Sequence, residues 1–118
     1  MTVLFLTTDL MFTSRLSGVA SRLGMTLKIA ATSAALIKLL AADPGSLVLV
    51  DLNSPGLDPR SLVADLKALS TPPQAIVAFG PHVHENRLAE ATAAGCDEVL
   101  TRGQFNAHME ETLAKWQG

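Results

Sequence analysis

The chain has 118 residues, which at roughly 150 residues per domain leaves room for one domain. Nine Lys and Arg against eleven Asp and Glu give a net charge of −2, a poor field for gripping a phosphate backbone, so nucleic acid is not expected as a direct partner. A 48% hydrophobic and 17% charged composition argues against disorder, and a single cysteine rules out an internal disulfide or a cysteine-rich metal centre.

Val3-Leu4-Phe5-Leu6 is a continuous apolar run, the pattern of a strand covered on both faces. Thr7, Thr8 and Asp9 then interrupt it, and no basic region precedes it, so no targeting segment is expected. Leu16, Val19, Ala20 and Leu23 follow helical spacing, with Gly24 placed to end that helix. Met25 to Ala30 is a weaker second strand. Thr32 or Ser33 caps a second helix through Leu36, Leu39 and Leu40, which Asp43-Pro44-Gly45 stops.

Leu47-Val48-Leu49-Val50 is a third apolar run, ending at Asp51. Asp58-Pro59 has the form of an N-cap followed by proline at the first helical position, opening a helix through Leu62, Val63, Leu66 and Leu69. Thr71-Pro72-Pro73 closes it. Ala75 to Phe79 is the fourth strand, and Leu88, Ala91 and Thr92 belong to an alanine-rich helix that stops at Gly95. Glu98 to Leu100 is a short fifth strand. Phe105, Met109, Leu113 and Trp116 line one face of a single last helix.

Strands alternating with helices imply right-handed βαβ crossovers and a doubly wound α/β fold, a parallel sheet with helices on both faces. In such sheets ligands bind beyond the carboxyl ends of the strands. The residues there are Thr7, Thr8 and Asp9, then Asp51 with Leu52-Asn53-Ser54-Pro55-Gly56, then Gly80-Pro81-His82, then Thr101-Arg102-Gly103. None forms a glycine-rich phosphate loop, which disfavours a flavodoxin-like module holding a small ligand. No run of about 18 apolar residues offers a membrane span.

Leu47 to Pro59 (LVLVDLNSPGLDP) and Ala93 to Leu100 (AAGCDEVL) resemble the response-regulator receiver domains of two-component signal transduction. The likeness runs by element order over residues 1–118 as one receiver-like domain. It implies a flavodoxin-like, five-stranded parallel sheet of order 2-1-3-4-5, with Asp51 in the place of the phospho-acceptor. The family's acid pair, which holds Mg²⁺, falls on Thr7 and Thr8. Its hydroxyl residue after the fourth strand falls on Gly80, and its lysine after the fifth falls on Arg102. A hydroxyl brings no charge to a hard cation, and a guanidinium is a planar fork where the family has a point charge.

These departures imply a pseudo-receiver that is not an enzyme and acts through protein partners without cofactor or metal; with neither targeting segment nor membrane span in view, a cytoplasmic location is the default expectation. Asp51 would be vestigial, supported by Arg102 and Asp9, with an Asp51–Arg102 ion pair across the strand ends. The alternative is a working receiver that is phosphorylated on Asp51 with Mg²⁺; a one-residue slip of the first strand would then bring Asp9 into the acid position. The resemblance implies a kinase or an output protein as partner, or a second copy of the chain. It puts the binding face on the fourth helix, fifth strand and fifth helix, where Arg87, Glu90, Glu110 and Glu111 lie. The sequence ends just past Gln117 without an effector domain, which leaves two readings open: a stand-alone adaptor, or a piece of a longer protein. His82 and His84 lack a third ligand and are expected to be loop and cap residues. Cys96 is expected to be buried and inert, and Trp116 to be partly exposed.

Overall fold

A computed structural model describes residues 1–117; Gly118, the last residue of the expected 1–118 domain, lies outside the described residues. The strands are β1 (Thr2–Leu6), β2 (Thr26–Ala30), β3 (Leu47–Asp51), β4 (Ala75–Gly80) and β5 (Glu98–Thr101). The helices are α1 (Leu10–Arg22), α2 (Ser33–Ala42), α3 (Pro59–Lys67), α4 (Glu85–Ala94), α5 (Arg102–Ala107) and α6 (Met109–Trp116). All strand pairings are parallel and the order is β2-β1-β3-β4-β5, as predicted.

The period-2 alternation of strands sorts the core into two layers. Val3, Phe5, Leu47, Leu49, Val77 and Phe79 pack with α1, α5 and α6, whereas Leu4, Leu6, Val48, Val50, Ile76 and Ala78 pack with α2, α3 and α4. Every residue of β3 and β4 is buried, which explains their unbroken apolar sequences. All four phenylalanines meet on the first layer; Phe79 and Phe105 stack at 4.3 Å between centroids, and Phe5 and Phe12 tilt against them.

The caps follow the sequence signals. Thr32 accepts from the Ala35 N–H, Asp58 from the Arg60 N–H ahead of Pro59, and Gly95 closes α4 at φ 102°. Two expectations are corrected. The third helix ends at Lys67, short of Leu69. The single last helix is two, broken at His108 (φ −124°, ψ 32°). The His108 carbonyl still accepts the Thr112 N–H at 2.9 Å and accepts the buried Thr112 hydroxyl as well, at 2.8 Å. The apolar face survives the bend, since Phe105, Met109 and Leu113 remain buried.

Candidate functional site

The β1–β3 register pairs Phe5 with Leu49 and Leu6 with Val50. One step further along, Thr7 stands opposite Asp51 on the same face of the sheet. The Thr7 hydroxyl donates to Asp51 Oδ2 at 2.8 Å, and the Asn53 backbone N–H donates to Oδ1 at 3.0 Å. Asp51 is 7% exposed and Thr7 2%. Thr7 Oγ1 also accepts from the Asp9 N–H at 3.0 Å, so one hydroxyl joins the carboxylate to the turn leading into α1. Thr8 is exposed, and neither hydrogen bond to the Asp51 carboxylate comes from it.

Arg102 does not pair with Asp51; this corrects the expected ion pair. Its guanidinium meets Asp9 Oδ2 at 2.9 Å and lies 4.8 Å above the Phe12 ring. The local cause is a capping box. Thr101 Oγ1 accepts from the Gln104 N–H while Gln104 Oε1 accepts from the Thr101 N–H, so Arg102 is the first residue of α5. Among the described residues, no Lys, Arg or His forms an ion pair with Asp51.

Asp9 is likewise committed elsewhere. It caps α1 through Oδ1, which accepts from the Met11 and Phe12 N–H groups, and β1 ends at Leu6. The one-residue slip that would have moved Asp9 into the acid position is absent. Asp51, Arg102 and Asp9 are therefore linked only in part: Arg102 with Asp9 directly, and Asp51 with the Asp9 backbone through Thr7.

Gly80 lies at the end of β4, on the opposite layer from Asp51. A Cβ there would stand 3.2 Å from Leu52 Cβ and 3.6 Å from Leu88 Cδ2. Leu52 is fully buried, so a side chain at this position would press against an apolar neighbour that must give by a few tenths of an ångström. Arg87 reaches over from α4, and its Nη1 donates to the Leu52 carbonyl. Sequence reasoning listed Leu52 among the strand-end residues and Arg87 on the fourth-helix face, and joined neither to Gly80.

The remaining candidates spread apart. Glu110 pairs with Arg22 of α1 at 3.1 Å and so turns toward α1, whereas Glu111, 3.0 Å from His108, lies beside Glu98 and Leu100 of β5. His82 and His84 are exposed, and among the described residues no three His, Cys, Asp or Glu side chains gather as a metal site. Cys96 is free and only partly buried, a correction to full burial; burial nonetheless pushes its thiol up to about 11. Trp116 is partly buried, its indole N–H donating to Glu98 at 2.9 Å. No described helix is long and apolar enough to cross a membrane.

A cation such as Mg²⁺ would meet the Asp51 carboxylate and the Thr7 hydroxyl here. That ion takes near-octahedral oxygen ligands, usually including one or two carboxylates. Here Asp51 has a neutral hydroxyl beside it, and the nearest acid along β1 is spent on a helix cap and an arginine.

No family model matches the sequence, and no curated protein does either. Solved structures match over nearly the whole chain. The chemotaxis response regulator CheY4 of Vibrio cholerae is 17% identical, covering 98% of this chain and 97% of its own, at a TM-score of 0.78. The receiver domain of the sensor histidine kinase PA1611 from Pseudomonas aeruginosa, with a magnesium ion in its active site cleft, is 17% identical over 98% and 95%, at 0.77. A co-crystal structure of the Saccharomyces cerevisiae phosphotransfer protein Ypd1 with the receiver domain of Ssk1 matches at 18% identity over 98% and 88%, also at 0.77. The chain therefore has the fold of receiver domains.

Proposed function

We propose that this receiver-fold chain is a signalling module that acts by binding protein partners, with the magnesium-dependent phosphorylation switch lost. The Thr7–Asp51 hydrogen bond carries this reading. Phosphoryl transfer to a carboxylate depends on a divalent ion and on cations that neutralise the transferring group. In this chain the acid position holds a hydroxyl, the Arg102 guanidinium is paired with Asp9, and a Cβ at Gly80 would stand 3.2 Å from the Leu52 Cβ.

Two of the similar structures inform the partner class. One is the receiver domain of a histidine kinase and another is a receiver in complex with a phosphotransfer protein. A protein of that signalling kind, bound without phosphoryl transfer, is the partner proposed here. Amide NMR spectra recorded during titration with Mg²⁺ and beryllofluoride test the reading. Unchanged resonances around Thr7, Asp51 and Gly80 support it. Saturable, metal-dependent shifts there would assign the chain to the phosphorylatable receivers.

A further inference from the structure

β2 (Thr26–Ala30) is one of the two edges of the sheet. The Thr26 N–H donates to the Met1 carbonyl and the Ala30 carbonyl accepts from the Thr7 N–H, both at 3.0 Å. Main-chain groups alternate in direction along a strand. Thr26, Lys28 and Ala30 therefore bond β1, while the N–H and C=O of Leu27 and Ile29 face outward. Among the described residues these four groups have no main-chain partner.

Two features set this edge apart. Ile29 is 40% exposed, on the same face of the sheet as half-buried Leu27. Lysine is a residue type that keeps strand edges from pairing, but Lys28 points to the other face, where Asp43 holds it at 3.5 Å. On that face α2 packs over β1 and β2. Eight of its ten residues are apolar and one, Lys38, is charged; Ala34, Lys38 and Ala41 are exposed. A helix whose outer side meets only water carries its charges there. The opposite edge, β5, is blunted: it has four residues, and its Glu98 is held by Lys115 and Trp116.

Whatever covers the β2 edge must bring a strand with outward N–H and C=O groups and an apolar helix on one side of that strand. The chain's own β2 and α2 are such a pair, and a twofold axis normal to the sheet sets them against a second copy of themselves. Charge selects the register. Pairing centred on Lys28 would oppose two ammonium groups, whereas pairing centred on Ile29 puts Lys28 opposite Ala30 of the second copy. The two Ile29 residues then exchange both N–H···O=C bonds and shield each other's side chains. The shared strip is about 16 Å long by strand rise and buries on the order of 300 Å² per copy, against about 800 Å² in a stable interface, so the dimer is weak and needs a high concentration.

We propose that two copies of the chain pair antiparallel through β2, centred on Ile29, into one continuous sheet with their α2 helices side by side. The pairing holds whether or not Asp51 accepts a phosphoryl group. Sedimentation velocity at concentrations rising to about 1 mM tests it. The parent's mass is expected to rise from one chain toward two. Ile29→Lys sets like charges face to face in both copies and should weaken association about tenfold. Ala34→Glu, at an exposed position of α2, should weaken it as well, and circular dichroism checks that both variants stay folded. Paired Ile29 residues would stand about 5.5 Å apart between Cα atoms, within disulfide reach. In a Cys96→Ser background, Ile29→Cys should therefore cross-link under diamide about tenfold faster than Ser17→Cys, an exposed position on α1. A parent that stays monomeric at about 1 mM, a dimer indifferent to both charged variants, or Ile29→Cys cross-linking no faster than Ser17→Cys would each overturn the proposal. None of these measurements involves Mg²⁺ or Asp51, so their outcome is read independently of the phosphorylation reading.

Discussion

The Thr7 hydroxyl donates to Asp51 Oδ2 at 2.8 Å from the position directly opposite it across β1 and β3. It gives the buried carboxylate a neutral partner. Thr7→Val keeps the shape and removes the donor, leaving a buried acceptor short of a bond. The expected loss is about 1–3 kcal/mol, read as a lower urea midpoint with unchanged slope, while Thr7→Ser should retain most of the stability. A Thr7→Val protein as stable as the parent would show that the bond contributes nothing.

Asp9 holds the first turn of α1 with one oxygen and Arg102 with the other. The two roles separate by substitution. Asp9→Asn keeps an accepting cap and loses the ion pair, so it should cost no more than about 1 kcal/mol. Asp9→Ala also loses the cap and should cost roughly 1 kcal/mol beyond that, in the same denaturation measurement.

At Gly80 the new side chain would meet the Leu52 Cβ at 3.2 Å. Gly80→Ser, the substitution that restores a hydroxyl at this position, should therefore destabilise by about 1–3 kcal/mol through overpacking. Combined with Leu52→Gly, which removes that Cβ, its cost should fall below the sum of the single effects, with a coupling of roughly 0.5 kcal/mol or more. Strict additivity would show that Leu52 is not the obstacle.

The Cys96 thiol lies at about 11 because burial disfavours the thiolate. At pH 8 about one molecule in a thousand carries the thiolate, so alkylation should be slow there and accelerate up to pH 11. The folded-state value is raised above the ordinary 9.0, so this group's contribution to stability is complete below pH 9 and is lost as pH rises through about 11. Rapid alkylation at pH 7 of the folded protein would contradict the assigned burial.

Much of the fold was legible because its signals are local. Unbroken apolar runs marked β1, β3 and β4, and Asp58-Pro59 and Gly95 marked helix ends by capping chemistry alone. The break at His108 was not legible, because Phe105, Met109 and Leu113 keep helical spacing across it and all three stay buried. In the site, the sequence pointed to Asp51 but not to its partner. Opposite charge suggested Arg102, whereas strand register delivered Thr7, which required knowing which residues of β1 and β3 face each other. The capping box at Thr101 and Gln104 was readable and bears on where Arg102 goes, yet its destination over Phe12 is a tertiary fact.

The most direct measurement is the intact mass of the protein after incubation with Mg²⁺ and acetyl phosphate, with Asp51→Asn alongside. If a threonine hydroxyl has replaced the metal-holding acid, the parent chain stays unmodified and indistinguishable from the variant. A gain of one phosphoryl group by the parent, absent from Asp51→Asn, would contradict the loss of the switch.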